Sequence, residues 1–344
     1  MRRLLAGFVA ILLAGGARAD ESLADEPASQ EQLRSAVARA LPLLTKGAVG
    51  HRENRTCFAC HNQGLPILAM VTAKSRGIAI DDEEVARQLR FIADFLGKNR
   101  EGYLQGKGQG GQADMAGYAL LTLELGGWRA DETTAAVTEF LLLRHADRDH
   151  YASTSQRPPS EASPFTTSYV ALRGLAHFGT PEQRERIGKR TEQVRDWLVK
   201  TPAQDHEDRV FRLFGLRLAG APQSDIDAAV KELLAKQRDD GGWSQLDGGE
   251  PKSATETDAY ATGTALVALH QAGEICVCEE PYQRGIAYLL STQLDDGTWR
   301  VASRSKPFQT YFETGFPHGK DQFISAAASA WATTALALAC AARE

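Results

Sequence analysis

Beyond its N-terminus this chain has no apolar run long enough to cross a bilayer, no excess of basic charge and no evident cluster of metal-ligating histidines. Each absence excludes something. The 39 basic residues are outnumbered by 44 acidic ones, for a net charge of −5. Without Arg2, Arg3 and Arg18 the balance falls to −8, and an acidic surface is a poor partner for nucleic acid or anionic lipid. His51, His145, His150, His177 and His270 fall at no spacing that singles out a metal site. Cysteine is scarce, five residues in 344, so the position of each one is informative.

The N-terminus is where apolar residues do run together. Arg2 and Arg3 precede the stretch Leu4 to Gly15, and Ala17-Arg18-Ala19 offers a small-x-small cleavage site before Asp20. This is the pattern of a secretory signal peptide, too short to be a membrane span. No cysteine follows the site to take a lipid. The expectation is an exported protein, periplasmic or secreted, with no stable membrane anchor.

Two of the five cysteines lie in Cys57-Phe58-Ala59-Cys60-His61. The spacing C-x-x-C-H is that of covalent c-type haem attachment, with two thioethers and an adjacent axial imidazole. Two thiols and an imidazole also suit zinc, and a disulfide between Cys57 and Cys60 is the other plain alternative. Export favours haem, because attachment takes place outside the reducing cytosol. The expectation is one covalent haem c on Cys57 and Cys60, with His61 as proximal ligand.

The rest of the chain repeats. Gln237 to Trp243 and Gln293 to Trp299 both read Q-x-x-D-G-x-W, with a degenerate copy at Asn99 to Tyr103. Hydrophobic period separates two alternating helix classes. Amphipathic, charged helices are expected over 30–45, 82–97, 131–146, 181–200, 223–237 and 278–292. Apolar helices rich in small residues are expected over 65–76, 112–126, 165–178, 206–219, 256–272 and 321–341. Helices apolar on most sides must be surrounded, whereas those with a charged face lie outside. The predicted fold class is therefore all-α, an α/α toroid of about six hairpins. Its expected divisions are a signal peptide over 1–19, an N-terminal helix with the haem-attachment loop over 20–64, and the toroid over 65–344.

The two Q-x-x-D-G-x-W elements, the helices that follow them, and the run Phe308 to Phe323 resemble the terpene-cyclase and prenyltransferase superfamily, and squalene cyclases in particular. The resemblance implies a structural role for Gln237, Trp243, Gln293 and Trp299, which tighten the barrel. It implies no catalytic role for them. Cyclases of this kind protonate an alkene with a D-x-D-D motif, and the nearest match is Asp205-His206-Glu207-Asp208. Burial and crowding by like charge would raise the pKa of Glu207 and make it an acid. The plainer reading is that these acids cap the helix beginning there. Prenyltransferases of the fold need a zinc site, and no Asp/Cys/His set with that arrangement is evident.

Topology places the candidates. Outer-to-inner connections share one face and are the long ones, whereas the returns after Gly126, Gly179 and Gly220 are short. Long loops on a rigid scaffold commonly carry function. The 57–61 segment is in the first of them. His318 and Met115 are the best-placed distal ligands, and Arg157 is placed to meet a haem propionate. Met115 as core, His318 as an ordinary loop residue and Arg157 as a loop brace are the bland alternatives. Of the remaining cysteines, Cys340 is expected to pair with Cys276 or Cys278, with a redox-active C-x-C pair as the rival.

Three functions remain open on the sequence. The leading one is an exported haem protein on a cyclase-like toroid, moving electrons to or from a redox partner or oxidising a small apolar molecule held in the toroid. The second is a terpenoid cyclase or isomerase using the catalytic acids Glu207 and Asp208. The third is a binding module whose mouth docks a partner.

Overall fold

The computed structural model describes residues 27–307 and 310–342; the expected signal peptide lies outside them. Thirteen α-helices follow in order: α1 Gln30–Asn54, α2 Leu65–Ser75, α3 Asp82–Gly97, α4 Arg100–Leu104, α5 Gln112–Leu125, α6 Glu132–Leu143 and α7 Pro164–Phe178. Then come α8 Arg184–Lys200, α9 His206–Leu218, α10 Gln223–Leu234, α11 Ala259–Gln271, α12 Glu280–Thr292 and α13 Gln322–Ala339. Among the described residues the only sheet is a two-stranded antiparallel ribbon pairing Trp243–Ser244 with Thr257–Asp258.

The architecture is the expected toroid. Helices α2, α5, α7, α9, α11 and α13 each pack on the next, and α13 packs back on α2, so the inner ring is closed. The outer helices α1, α3, α6, α8, α10 and α12 lie against α2, α5, α7, α9, α11 and α13 respectively. Composition follows position. In α13 every residue but Phe323 is buried, and most are alanine, serine or threonine, which lets neighbouring backbones approach. Contrary to the expectation from the sequence, the stretch Gly319–Ala339 is long and apolar enough to cross a membrane, but it is mostly buried, and α13 within it is the inner wall of the ring. Outer α3, by contrast, buries a narrow stripe (Val85, Gln88, Leu89, Ile92, Leu96) and faces water elsewhere.

The repeat motif joins outer helices. Gln237 donates through Nε2 to the Gly241 carbonyl of its own turn and to Pro281 of the following outer helix, α12. Gln293 does the same with Gly297 and, across the seam between last and first repeats, with Ala36 of α1. Each tryptophan indole donates back to the preceding outer helix, Trp243 to Leu233 and Trp299 to Leu289, both at 2.9 Å. Gly241 and Gly297 have φ of +88° and +87°, and a Cβ on either would stand 2.5 or 2.4 Å from a carbonyl oxygen of the next outer helix. Only glycine meets both demands.

Two expectations need correction. The first outer helix runs to Asn54 instead of ending near 45, because Gly47 and Gly50 pack against Phe316 and the Thr314 backbone, which substitutes for the side chains they lack. Along its length α1 lies against α2, α3 and α13. Finally, Cys276 and Cys278 are disulfide-bonded to each other on the turn between α11 and α12. Cys340 is a buried free thiol whose Sγ meets the Leu336 carbonyl of its own helix, so it is not the expected partner.

Trp299→Ala should cost about 3–5 kcal/mol of stability through the cavity left at the seam. Trp299→Phe, which keeps most of the volume and loses the donor to Leu289, should cost about 1–3 kcal/mol. Urea unfolding of the two variants checks the order; equal losses would mean that the indole hydrogen bond carries the whole effect.

Candidate functional site

Two cavities open at the mouth formed by the outer-to-inner connections. The smaller, about 300 Å³, is walled by Pro158, Pro159, Phe323, Ile324 and Ala327, with Lys306 and Lys320 also lining it. The larger, about 650 Å³, is walled by Phe58, Phe95, Met115, Cys57 and Cys60. His61, Arg157 and Glu161 line both, so the cavities meet there. Their walls come from the first, second, third and sixth of those connections.

The 57–61 segment is shaped by a turn of π-helix over Cys60–Gly64, in which the Leu65 amide bonds the Cys60 carbonyl. Such turns are rare and often found at functional sites. A buried polar chain pins this one to α3. The Ala59 amide donates to Gln63, Gln63 to Gln88, and Gln88 to Glu84, which also pairs with Arg52 and Arg87. The two cysteines differ in exposure, though both line the larger cavity. Cys57 is exposed, with its carbonyl bonded by His51 Nε2. Cys60 is buried and donates its thiol hydrogen to Glu161 Oε1 at 2.9 Å. Burial and then the adjacent carboxylate push the Cys60 thiol well above its usual pKa.

His61 lies 3.6 Å from Cys60 Sγ through Nδ1 and sets its ring edge against Phe323. Burial brings its pKa down to about 3, which leaves the imidazole neutral. Glu161 comes from the connection between α6 and α7, where Arg157 and Glu161 exchange both backbone hydrogen bonds across a cis Pro158-Pro159 step. The Arg157 guanidinium forms an ion pair with Glu161 Oε2. Ser305 anchors the same loop by donating to the Pro158 carbonyl.

The acids at the start of α9 divide their work. Asp205 is the N-cap, and its Oδ1 accepts from the Asp208 amide at 3.0 Å. Asp208 accepts from the Ser163 hydroxyl at 2.6 Å and the Gln204 amide at 3.0 Å, which ties α9 to the start of α7. Glu207 points inward. Only 2% exposed, it accepts from the Thr166 hydroxyl at 2.9 Å and from the Tyr260 hydroxyl at 3.0 Å. Burial raises its pKa to about 8, with the nearby Asp205 and Asp208 adding to the rise and the two hydroxyls opposing it. At neutral pH Glu207 therefore holds a proton. It lines neither cavity, and Thr166 and Tyr260 cover its oxygens. Tyr118 feels the charges of both Glu207 and Glu161 and donates to the Ser160 carbonyl in the wall of the smaller cavity.

The other sequence candidates divide. Met115 does line the larger cavity. His318 does not reach either one: its Nε2 is bonded to Thr298 at 2.8 Å, and the residue caps the short turn Gly319–Asp321. It is thus not brought opposite His61. Glu161 was missed altogether. Its importance arises from a contact with Cys60 across 101 residues, which no local pattern announces.

Comparison with known proteins fixes the fold. The Squalene-hopene cyclase C-terminal domain family matches residues 210–341. A squalene–hopene cyclase of Bradyrhizobium diazoefficiens is 34% identical over 128 residues, covering 33% of this chain and 18% of that protein. The chain thus spans under a fifth of its curated relative's length. The type II terpene cyclase MstE from Scytonema, solved with geranylgeranyl dihydroxybenzoate, matches 90% of this chain and 98% of its own at a TM-score of 0.59 and 14% identity. A glycosidase solved with glucose matches to the same extent at 0.57 and 13%.

The chain is a terpene-cyclase-like toroid. The glycosidase shows that this fold serves more than one chemistry, so fold alone does not assign a reaction. The likeness does correct the reading of residues 57–61. Haem, cytochrome c, iron and electron transfer conflict with a chain whose sequence and structural relatives are squalene and terpene cyclases. In the structure Cys57, Cys60, His61, Met115 and Arg157 all line the larger cavity, Cys60 and Arg157 are both engaged with Glu161, and His318 lies outside that lining.

Glu207 gives the site a signature in stability. Folded, it keeps its proton up to about pH 8; its ordinary value is 4.5. Between those limits the native state binds more protons than the unfolded one, so raising the pH destabilises the fold, by at most about 1.4 kcal/mol per pH unit. Asp258, raised to about 6 by burial, acts in the same direction at lower pH. Buried His61 and His206, lowered to about 3, act in the opposite direction below about pH 6.5, so the signature is a difference: the stability of the native protein relative to Glu207→Gln should fall as the pH rises from 5 to 8. Parallel curves for the two proteins would show an ordinary, ionised glutamate.

Proposed function

We propose that this is an exported, cyclase-like protein that admits a small apolar molecule of the terpenoid class to the joined cavities and rearranges it by acid catalysis. Glu207 is the proton source in this reading, and Asp208 is a positioning residue that fixes the start of α9. The N-terminal pattern of Arg2, Arg3 and the apolar run to Gly15 supports export. The observation that carries the reading is a buried glutamic acid kept neutral at physiological pH, on an inner helix of a cyclase-like ring whose mouth holds a largely apolar cavity. An acid of that kind can protonate an alkene. The proton is recovered when a neighbouring C–H is lost, so isomerisation or cyclisation needs no co-reactant.

A second reading rests on a specific observation: Glu207 lines neither cavity. On that reading the toroid binds its apolar ligand without changing it. One experiment separates the two. Native protein and Glu207→Gln are incubated with a panel of acyclic polyprenols, and binding and product are followed separately. The catalytic reading expects the variant to bind within about twofold and to lose product formation by about 10²–10⁴-fold. Binding with no product from the native protein supports the carrier reading. Equal turnover by both proteins removes Glu207 from the mechanism.

A further inference from the structure

We propose that Cys60, His61 and Glu161 form a zinc site where the two cavities meet. The three donors, a thiol sulfur, an imidazole nitrogen and a carboxylate oxygen, lie within 4.8 Å of one another. Tetrahedral zinc, with bonds of about 2.0–2.3 Å, places its ligand atoms about 3.5 Å apart. Cys60 Sγ and His61 Nδ1 are already 3.6 Å apart. Cys60 Sγ and Glu161 Oε1 are at 2.9 Å, a separation set by the thiol hydrogen between them. Metal binding replaces that hydrogen: the S–H bond breaks, the proton leaves to solvent, and an S–Zn bond forms as the sulfur and oxygen move apart by about half an ångström.

Charge and orientation also suit the ion. One thiolate and one carboxylate balance the dication, with the imidazole as a neutral third ligand. A mixed sulfur, nitrogen and oxygen set selects zinc over magnesium or calcium, which take oxygen ligands. Glu161 divides its two oxygens, Oε2 to Arg157 and Oε1 to Cys60, so the arginine aims the ligating oxygen. An outer partner of that kind is usual around bound metals. The π-helical turn presents Cys60 and His61 together, and both face the larger cavity. Three protein ligands leave the fourth position to a water, or to an oxygen of a molecule in the cavity, the pattern of a catalytic rather than a structural zinc. Exposed Cys57 is not one of the ligands. The site is redox-inert and independent of the role given to Glu207.

The test uses the mature, full chain, stripped of metal under reducing conditions and titrated with cobalt(II), then with zinc in competition. One cobalt per chain should bind with visible d–d bands and a thiolate-to-metal charge-transfer band, and zinc should displace it. Glu161→Gln and Cys60→Ser should each weaken zinc binding by at least about 100-fold, with the far-ultraviolet spectrum unchanged, and Cys57→Ser should bind as the native chain does. Should Cys60→Ser fail to fold, Glu161→Gln carries the comparison. Three results would overturn the proposal: no thiolate band in the native protein, full affinity in Glu161→Gln, or equal loss in Cys57→Ser and Cys60→Ser.

Discussion

Closure of the ring between the last repeat and the first is the constraint on which the rest of this structure depends. An α/α hairpin with an apolar inner helix cannot bury that helix alone; it needs neighbours on both sides. Here α13 finds them in α11 and α2. The seam is held by contacts of the kind used between consecutive repeats, the Gln293 amide on the Ala36 carbonyl and the Gly297 turn against Arg39, while Trp299 braces that turn on its own outer helix, α12. Gln30 adds a second clasp, bonding the Ala339 carbonyl and the Ala341 amide at the C-terminal end of α13. The ring is closed by reuse of a repeat contact together with this clasp.

Closure also makes the site. The first and third outer-to-inner connections bring Cys60, His61, Arg157 and Glu161 together, and the sixth connection at Lys320 with the start of α13 at Phe323 and Ile324 supplies further wall. An open array would hold those segments far apart. Beneath them, hydroxyls and acids fill the ring interior, with Tyr118, Tyr260 and Glu207 all raised in pKa, chiefly by burial. The molecule therefore presents an apolar mouth over a polar interior whose protons are held tightly. That layering favours chemistry on an apolar guest over exchange of ions with solvent.

The fold was legible because it is local and repeated. Helix period, the Gly-ended returns and the Q-x-x-D-G-x-W copies each act over a few residues, and the observed helices from α2 to α13 follow them closely, except for short α4, which lies where a degenerate motif copy was expected. The end of α1 was not legible, since Gly47 and Gly50 look like a loop until the Thr314 backbone is laid against them. The acids at 205–208 were visible as a motif. That Asp205 caps, Asp208 ties α9 to α7 and Glu207 turns inward became clear only with Ser163, Thr166 and Tyr260 in place. The C-x-x-C-H spacing pointed to a haem because five residues carry a strong pattern. What the pattern omits is Glu161, distant in sequence and bonded to Cys60. Cysteine pairing failed for a related reason: proximity along the chain joined Cys276 to Cys278, while Cys340 was sealed in its own helix.

The claim that matters most is that Glu207 is a neutral acid inside the ring. Carbon-13 labelling of glutamate side chains, with the Glu207 carboxyl resonance assigned by its loss in Glu207→Gln, reads the ionisation of this one group directly. The account predicts a titration midpoint near pH 8, moving further up when an apolar ligand fills the mouth and excludes water. A midpoint in the ordinary carboxylate range, unmoved by ligand, would contradict it.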